Sequence, residues 1–431
     1  MYVPGARTLR HLAYVGTEPV RLAAAQSGIT PSIANVRRAM QRAYVESKRR
    51  ERDGVSYAKS AIDWANLWSE LSESSGYFFS QNLVSNESES LDAAIHLKAL
   101  PAGLACLGVG PETMLSYLGL VETPLAFIVD IRRDNARLHC LYLGAFSLAS
   151  SRTEWLSLLL ARPYDKAEDK GPNASLRDVL ASLTLNRPTA RSFDEAHQRL
   201  MGALDRLPPF LLPFDRQAIR RIHRHFWRHG LETNFQQGGL RLRRYPTLTN
   251  LLGMLTPEGA PLGFLANEAT FLRIQAIENA HGVIPVVGSL QGGVLLRVAD
   301  QLRRRGLQLG AIYVSNIEQY LFENGQWDAW VAVLRSLPCH HDAILIRSFF
   351  QNEHGPVPEP PRSMLAQLRL TIAVTNHVRR NQGPLALHQM KTVVQSVKAF
   401  LERERIQPYT SYREVVCDRS IALGCSSPDI L

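Results

Sequence analysis

The sequence predicts an α/β fold: a doubly wound, mostly parallel sheet with a helical insertion and helical extensions at both termini. Three observations predict it. Apolar runs alternate with helical stretches over residues 104–148 and again over 283–350, as strands do when crossover helices join them into a parallel sheet. The first run ends in Gly-x-Gly, in "CLGVGPE", and the second in Asp130, in "FIVD". A glycine turn followed one unit later by a strand-terminal acid is how a nucleotide-binding crossover begins. Residues 150–280 lack the alternation, which places an insertion between two halves of the sheet.

Taken in order, residues 1–60 form a basic arm. They hold eleven Lys and Arg against four Asp and Glu, so most of the net charge of +10 lies there and the body is nearly balanced. Within the arm, "VRLAAAQSGITPSIANVRRAM" has the outline of a helix-turn-helix that presents Arg37, Arg38 and Arg42 to DNA. The alternatives are a solvated helical extension or an Arg-rich transit peptide. From residue 61, Ile62, Ala65, Leu67, Trp68 and Leu71 share one helical face. Gly76 then breaks the pattern, and "SNESES" offers caps for the next helix.

The first half of the sheet domain, 61–149, supplies strands at about 104–107 and 125–130 and helices at 111–120 and 134–148. The insertion, 150–280, is mainly helical, with a loop expected to be mobile near 165–175. In it, Ile219, Ile222 and Phe226 mark the buried stripe of a helix that starts after Asp215 and stops at Gly230, leaving His223, His225 and His229 as surface histidines. The second half, 281–350, gives strands at 283–288, 309–315 and 343–350 with helices at 292–305 and 327–336, making five parallel strands in all. Residues 351–431 read as a hinge or lid loop, "QNEHGPVPEPPR", then helices over 362–381 and 386–405 and a partly disordered tail.

Composition excludes several classes. With 45% hydrophobic and 20% charged residues, the chain can build a sizeable core and is not intrinsically disordered. No window holds the roughly 18 apolar residues of a membrane span. The start lacks a signal peptide's apolar core, which points to the cytoplasm. Cys106, Cys140, Cys339, Cys417 and Cys425 form no Cys-x-x-Cys pair, against a disulfide framework or a thiolate zinc site. His340 and His341 are adjacent, a spacing that rarely lets both rings reach one ion, so no metal site is expected.

The chemistry lies at the strand ends. Gly108 and Gly110 allow a tight turn and a close approach of backbone to ligand, with Glu112 just beyond. Asp130 stands 22 residues after Gly108, where a carboxylate accepts hydrogen bonds from ribose hydroxyls. The third glycine of a dinucleotide fingerprint is absent, since "GVGPET" has Thr113 at the helix. S-adenosylmethionine, which carries no phosphate, needs only the turn and the acid, so the methyltransferase-like Rossmann variant fits better than a dehydrogenase. Ser289, in "VVGSLQGG", faces the adenine side. Asn316 and Tyr320, in "YVSNIEQYLF", stand where an acceptor is presented, with Glu318 as a base or a helix-cap partner.

Together "GYFFSQNLVSNE", "LGVGPE", "FIVDIRRDN", "FLANEATF", "IPVVGSLQGG" and "YVSNIEQYLF" resemble a family of uncharacterised bacterial proteins over about residues 63–350. The resemblance implies the fold of S-adenosylmethionine-dependent methyltransferases. Phe79, Gln81 and Ser289 stand where the family more often carries Asp, which implies an altered substrate or binding without catalysis. Asn82, Ser85, Asn86 and Glu87 fit the pattern, and "NLVSNE" is expected as a lid in which Asn86 and Glu87 approach the cofactor.

Two functions follow as expectations. One is a methyltransferase-like protein that binds S-adenosylmethionine and takes an unknown acceptor chosen by the insertion. The other is a non-catalytic binding or regulatory module whose basic arm contacts nucleic acid or an acidic partner. No Walker loop or Ser-His-Asp order points to another nucleotide enzyme.

Overall fold

The computed structural model describes residues 59–78, 80–207, 211–235, 245–350 and 390–424. The basic arm with its helix-turn-helix outline, Phe79, the Gly-rich stretch 236–244, the 351–362 loop, the helix expected over 362–381 and Cys425 lie outside the described residues.

A seven-stranded sheet in the order β3-β2-β1-β4-β5-β6-β7 forms the centre of this mixed α/β fold. Strands β1 (Ala105–Gly108), β2 (Ala126–Asp130), β3 (Val283–Val287), β4 (Leu309–Ser315) and β5 (Cys339–Phe350) run parallel. All of β1 and β3 is buried, which is why these strands appear in sequence as continuous apolar runs rather than alternating ones. Pro285 lies in β3, the outermost strand, where its missing N–H need not serve an inner ladder.

The C-terminal region differs from expectation. Instead of one helix over 386–405, Met390–Ser396 forms strand β6, antiparallel to β5 from Ile344↔Ser396 to Phe350↔Met390. Only Val397–Ile406 is helical. A short apolar run satisfies either period, and here the free edge of β5 decides for the strand. Nor is the tail patternless: a helix at Tyr412–Cys417 leads into β7 (Ala422–Gly424), which pairs antiparallel with β6. The extension thus adds two strands and is not simply helical.

Ahead of the sheet, α1 (Lys59–Leu71) lays Trp64, Leu67, Trp68 and Leu71 into the core, and the Trp64 indole donates to the Val283 carbonyl at 2.7 Å. After β1 comes the short α2 (Thr113–Leu118) and after β2 the long α3 (Arg133–Leu148). The β2-to-β3 connection continues through α4 (Arg152–Leu160), α5 (Leu176–Leu185), α6 (Ala190–Leu204), α7 (Pro213–His229) and α8 (Glu268–Asn279). Helices α6, α7 and α8 pack on α3, so α3 is buried on nearly every side.

Asp215 joins α7 to α3. It is fully buried, and its carboxylate accepts from Arg133 (2.7 and 2.8 Å) and from Arg137 (2.8 Å). It also accepts from the Leu212 N–H at 3.0 Å, which starts α7 at Pro213, ahead of Asp215 itself. The helix does end at Gly230, whose φ is +53°. His223 is not a surface residue: it is fully buried, its Nε2–H donates to Leu158 at 2.9 Å, and its Nδ1 lies 3.3 Å from His197 Nδ1. Burial lowers its pKa to about 3. Likewise the loop expected to be mobile near 165–175 is tied down. Asp169 accepts from Tyr164 at 2.8 Å and from the Gly171 N–H at 2.9 Å, while Arg152 donates to Ala174 at 2.7 Å.

On the other side of the sheet lie α9 (Gly293–Arg304), α10 (Ile317–Glu323), α11 (Trp327–Ser336) and α12 (Val397–Ile406). Their centre is an ion pair. Glu318 on α10 and Arg347 on β5 are both fully buried and bonded twice; Trp330 also donates to Glu318, at 2.7 Å. Arg347 also donates to Gln395 on β6, and its guanidinium stands 4.3 Å over the Phe400 ring. Glu318 is therefore neither a base nor a cap partner but the anchor of this half. Arg347→Met leaves its carboxylate buried and unpaired and is expected to cost about 3–5 kcal/mol, which Glu318→Leu in the same chain should largely restore. Urea unfolding of wild type, single and double variants checks this; a double variant as unstable as Arg347→Met would contradict it.

Candidate functional site

Every sequence-predicted site residue lies at or over the carboxyl-terminal edge of the parallel strands, because each follows a strand or belongs to the segment that crosses the strand ends. The glycine turn leaves β1, Asp130 ends β2, Ser289 follows β3 and Asn316 follows β4. Register sets Asp130 beside Val287, so the β2 and β3 ends are level.

The two glycines serve different ends. A Cβ on Gly108 would meet Met114 Sδ at 2.3 Å, so this glycine lets the Met114 side chain of α2 lie against β1. Gly110, at φ +77°, has nothing within 4 Å of where a Cβ would stand. Its requirement is conformational, and space opens over it. Its carbonyl accepts from His139 Nε2 at 3.0 Å, and burial lowers the pKa of His139 to about 4, so the ring is neutral. His139 Nδ1 has no partner among the described residues, and neither has either amide atom of the buried Asn135. Asn135 and His139 are one helical turn apart on α3 and so share a face. Neither stands out in the sequence, because α3 also carries Arg133, Asp134 and Arg137.

Asp130 is engaged. Its Oδ1 accepts from the Arg132 N–H at 2.8 Å and from Nε at 3.1 Å, and its Oδ2 from Nη2 at 2.6 Å. Arg132, also unremarked in the sequence, reaches on to the Ser80 and Gln81 carbonyls. Ser289 donates its hydroxyl to the Gln291 side chain. Ser315, at the end of β4, has φ +53°, a strained conformation for a residue with a Cβ. Next to it, Asn316 stands at the start of α10 and accepts a long 3.5 Å contact from the Ser315 hydroxyl. The Tyr320 ring packs edge-on against Phe78, 6.2 Å between centroids.

Residues 72–78 and 80–90 form a strap across all of these ends. The Glu73 N–H donates to Val287 at 2.7 Å at the β3 end, and the Gly76 N–H donates to Ile131 at 2.6 Å just past β2. The Ser85 N–H donates to both Glu112 oxygens, at 3.0 and 3.1 Å, beside the β1 turn. On β4, Tyr313 donates to Glu87 at 2.6 Å, as does Ser315. Ser88 reaches the Met390 backbone of β6. The segment expected as a lid thus lies over the strand ends, but Glu87 points into the protein, where it is 1% exposed and its Oε2 has no partner among the described residues. Asn86 is half-buried in the same strap.

Glu112 is equally hidden. Burial raises its pKa to about 7, against the hydrogen bonds from its own backbone and from Ser85, and the nearby Glu87 adds to the rise. Burial raises Glu87 as well, opposed by the Ser315 and Tyr313 hydroxyls. Two neighbouring buried acids cannot both ionise cheaply.

Among the described residues no helix is long and apolar enough to cross a membrane. The model of a domain of unknown function (DUF7790) matches residues 252–404, which covers β3 to β6 but not the glycine turn or Asp130. No curated protein matches the chain.

The Glu112 carboxyl binds, when folded, a proton that the unfolded chain releases near pH 4.5. It therefore destabilises the fold progressively as pH rises through about 7. Glu112→Gln should gain thermal stability relative to wild type between about pH 5 and about pH 8, and a difference that does not change with pH would contradict the raised pKa.

Proposed function

We propose that the edge beneath the strap binds a nucleoside-type cofactor, S-adenosylmethionine, in a methyltransferase-like Rossmann arrangement. The observation that carries this is the set of unpartnered polar atoms on Asn135 and His139 beside the open Gly110 turn. A buried donor or acceptor without a partner costs about 1–3 kcal/mol, and a polar ligand in that turn relieves it. The strand order β3-β2-β1-β4-β5 supports the reading, since ligands of doubly wound sheets sit at the switch point beyond the strand ends. Here the switch point lies between β1 and β4.

When bound, S-adenosylmethionine supplies an electrophilic methyl group on a sulfonium. Gly110 gives backbone room, Asn135 offers one donor and one acceptor, and Ser289 lies on the adenine side. Asp130 keeps three bonds to Arg132, which leaves one lone-pair direction for a ribose hydroxyl. Asn316 and Tyr320 stand at the β4 end for the acceptor, whose positioning matters more than acid–base groups in an in-line transfer.

A second reading, a binding module without catalysis, is favoured by the Asp130–Arg132 pair, which occupies the group meant for ribose. Its partner would meet the basic arm, nucleic acid being one class.

Calorimetric titration with S-adenosylmethionine and S-adenosylhomocysteine is the test. Wild type is expected to bind with a Kd on the order of micromolar, weakened about tenfold or more in Asn135→Ala and in Asp130→Ala. Absence of binding by wild type would overturn the proposal and leave the second reading.

A further inference from the structure

We infer that the start of β5 holds a surface site for a divalent cation of the zinc class, made by His340, His341 and Asp342. Adjacent residues on a regular strand point to opposite faces, which is why the sequence argued against shared coordination. Strand β5 is not regular there. Cys339 pairs with Leu309 and Ile344 with Ala311, so a step of five residues on β5 stands opposite a step of two on β4. The bulge removes the alternation and turns both rings to one side, 4.0 Å apart between centroids.

Distances then favour an ion. Asp342 Oδ2 lies 3.2 Å from His341 Nε2 and 3.7 Å from His340 Nδ1. Ligand atoms about 2.0–2.1 Å from a tetrahedral zinc ion stand about 3.3–3.4 Å apart, so these two separations already approximate tetrahedron edges. All three ligand atoms fall within 4.8 Å of one another. His340 Nδ1 accepts from the Asp342 N–H at 3.3 Å, a long bond that an ion would replace. Two imidazoles with one carboxylate suit zinc, nickel or copper better than calcium or magnesium, which take oxygen sets. The cluster is these three residues, and the Cys339 thiol is not among its ligand atoms. Three protein ligands leave a fourth position for water or a group from another molecule.

The site lies at the amino-terminal edge of the sheet, opposite Gly110 and Asp130, so it stands or falls independently of the cofactor proposal. Its test is calorimetric titration of the full chain with Zn2+ beside His341→Ala and Asp342→Asn. Both side chains are exposed, so neither substitution opens the core. One Zn2+ is expected to bind wild type, with affinity reduced about tenfold or more in each variant. No binding by wild type, or wild-type affinity in both variants, would overturn the site.

Discussion

Two buried carboxylates, Glu87 and Glu112, hold the strap to the sheet, and the shape of the candidate site depends on them. Burying a carboxyl group is costly unless its oxygens find donors. Here the donors come from different elements: the Ser85 backbone for Glu112, and Tyr313 and Ser315 of β4 for Glu87. Each acid therefore fixes a strap position relative to a strand end. Between them the chain crosses from the β1 turn to β4 and then to β6. Whatever binds Gly110 or Asp130 meets this strap first.

Buried charge is used elsewhere for the same purpose of joining segments far apart in sequence. Asp215 gathers Arg133 and Arg137 and so ties the helical layer to α3. Glu318 and Arg347 tie α10 to β5, and Gln395 extends the tie to β6. Such pairs stabilise little in themselves, because desolvation offsets attraction. Their effect is to forbid alternatives, since any other packing strands a charge. Asp130 with Arg132 belongs to this group as much as to a ligand site: the same carboxylate that the strand-end position offers to ribose also orders the strap through Ser80 and Gln81.

Much of the fold was legible in the sequence. The parallel strands β1 to β5 announced themselves as apolar runs separated by helical periodicity, and residues 309–315 and 327–336 have the predicted bounds. What failed was local in each case. Met390–Ser396 carries a run too short to distinguish helix from strand, and the pairing edge of β5, over forty residues earlier, chose. His223 looked like one of three surface histidines because its burial depends on His197 and Leu158, from two other helices.

The sequence by itself determined the order of elements from β1 to β5, the glycine turn and the placement of Asp130, Ser289 and Asn316 after successive strands, since these follow from periodicity and chain direction. Tertiary structure alone decided what each side chain faces. Gly108 serves packing against Met114, Glu318 is sealed by Arg347, Glu87 turns inward, and Asn135 and His139 share a face beside Gly110. The bulge that unites His340 with His341 is likewise set by pairing with β4. Periodicity fixes which way a side chain leaves its own element, whereas partners come from segments distant in sequence, and only packing brings those together.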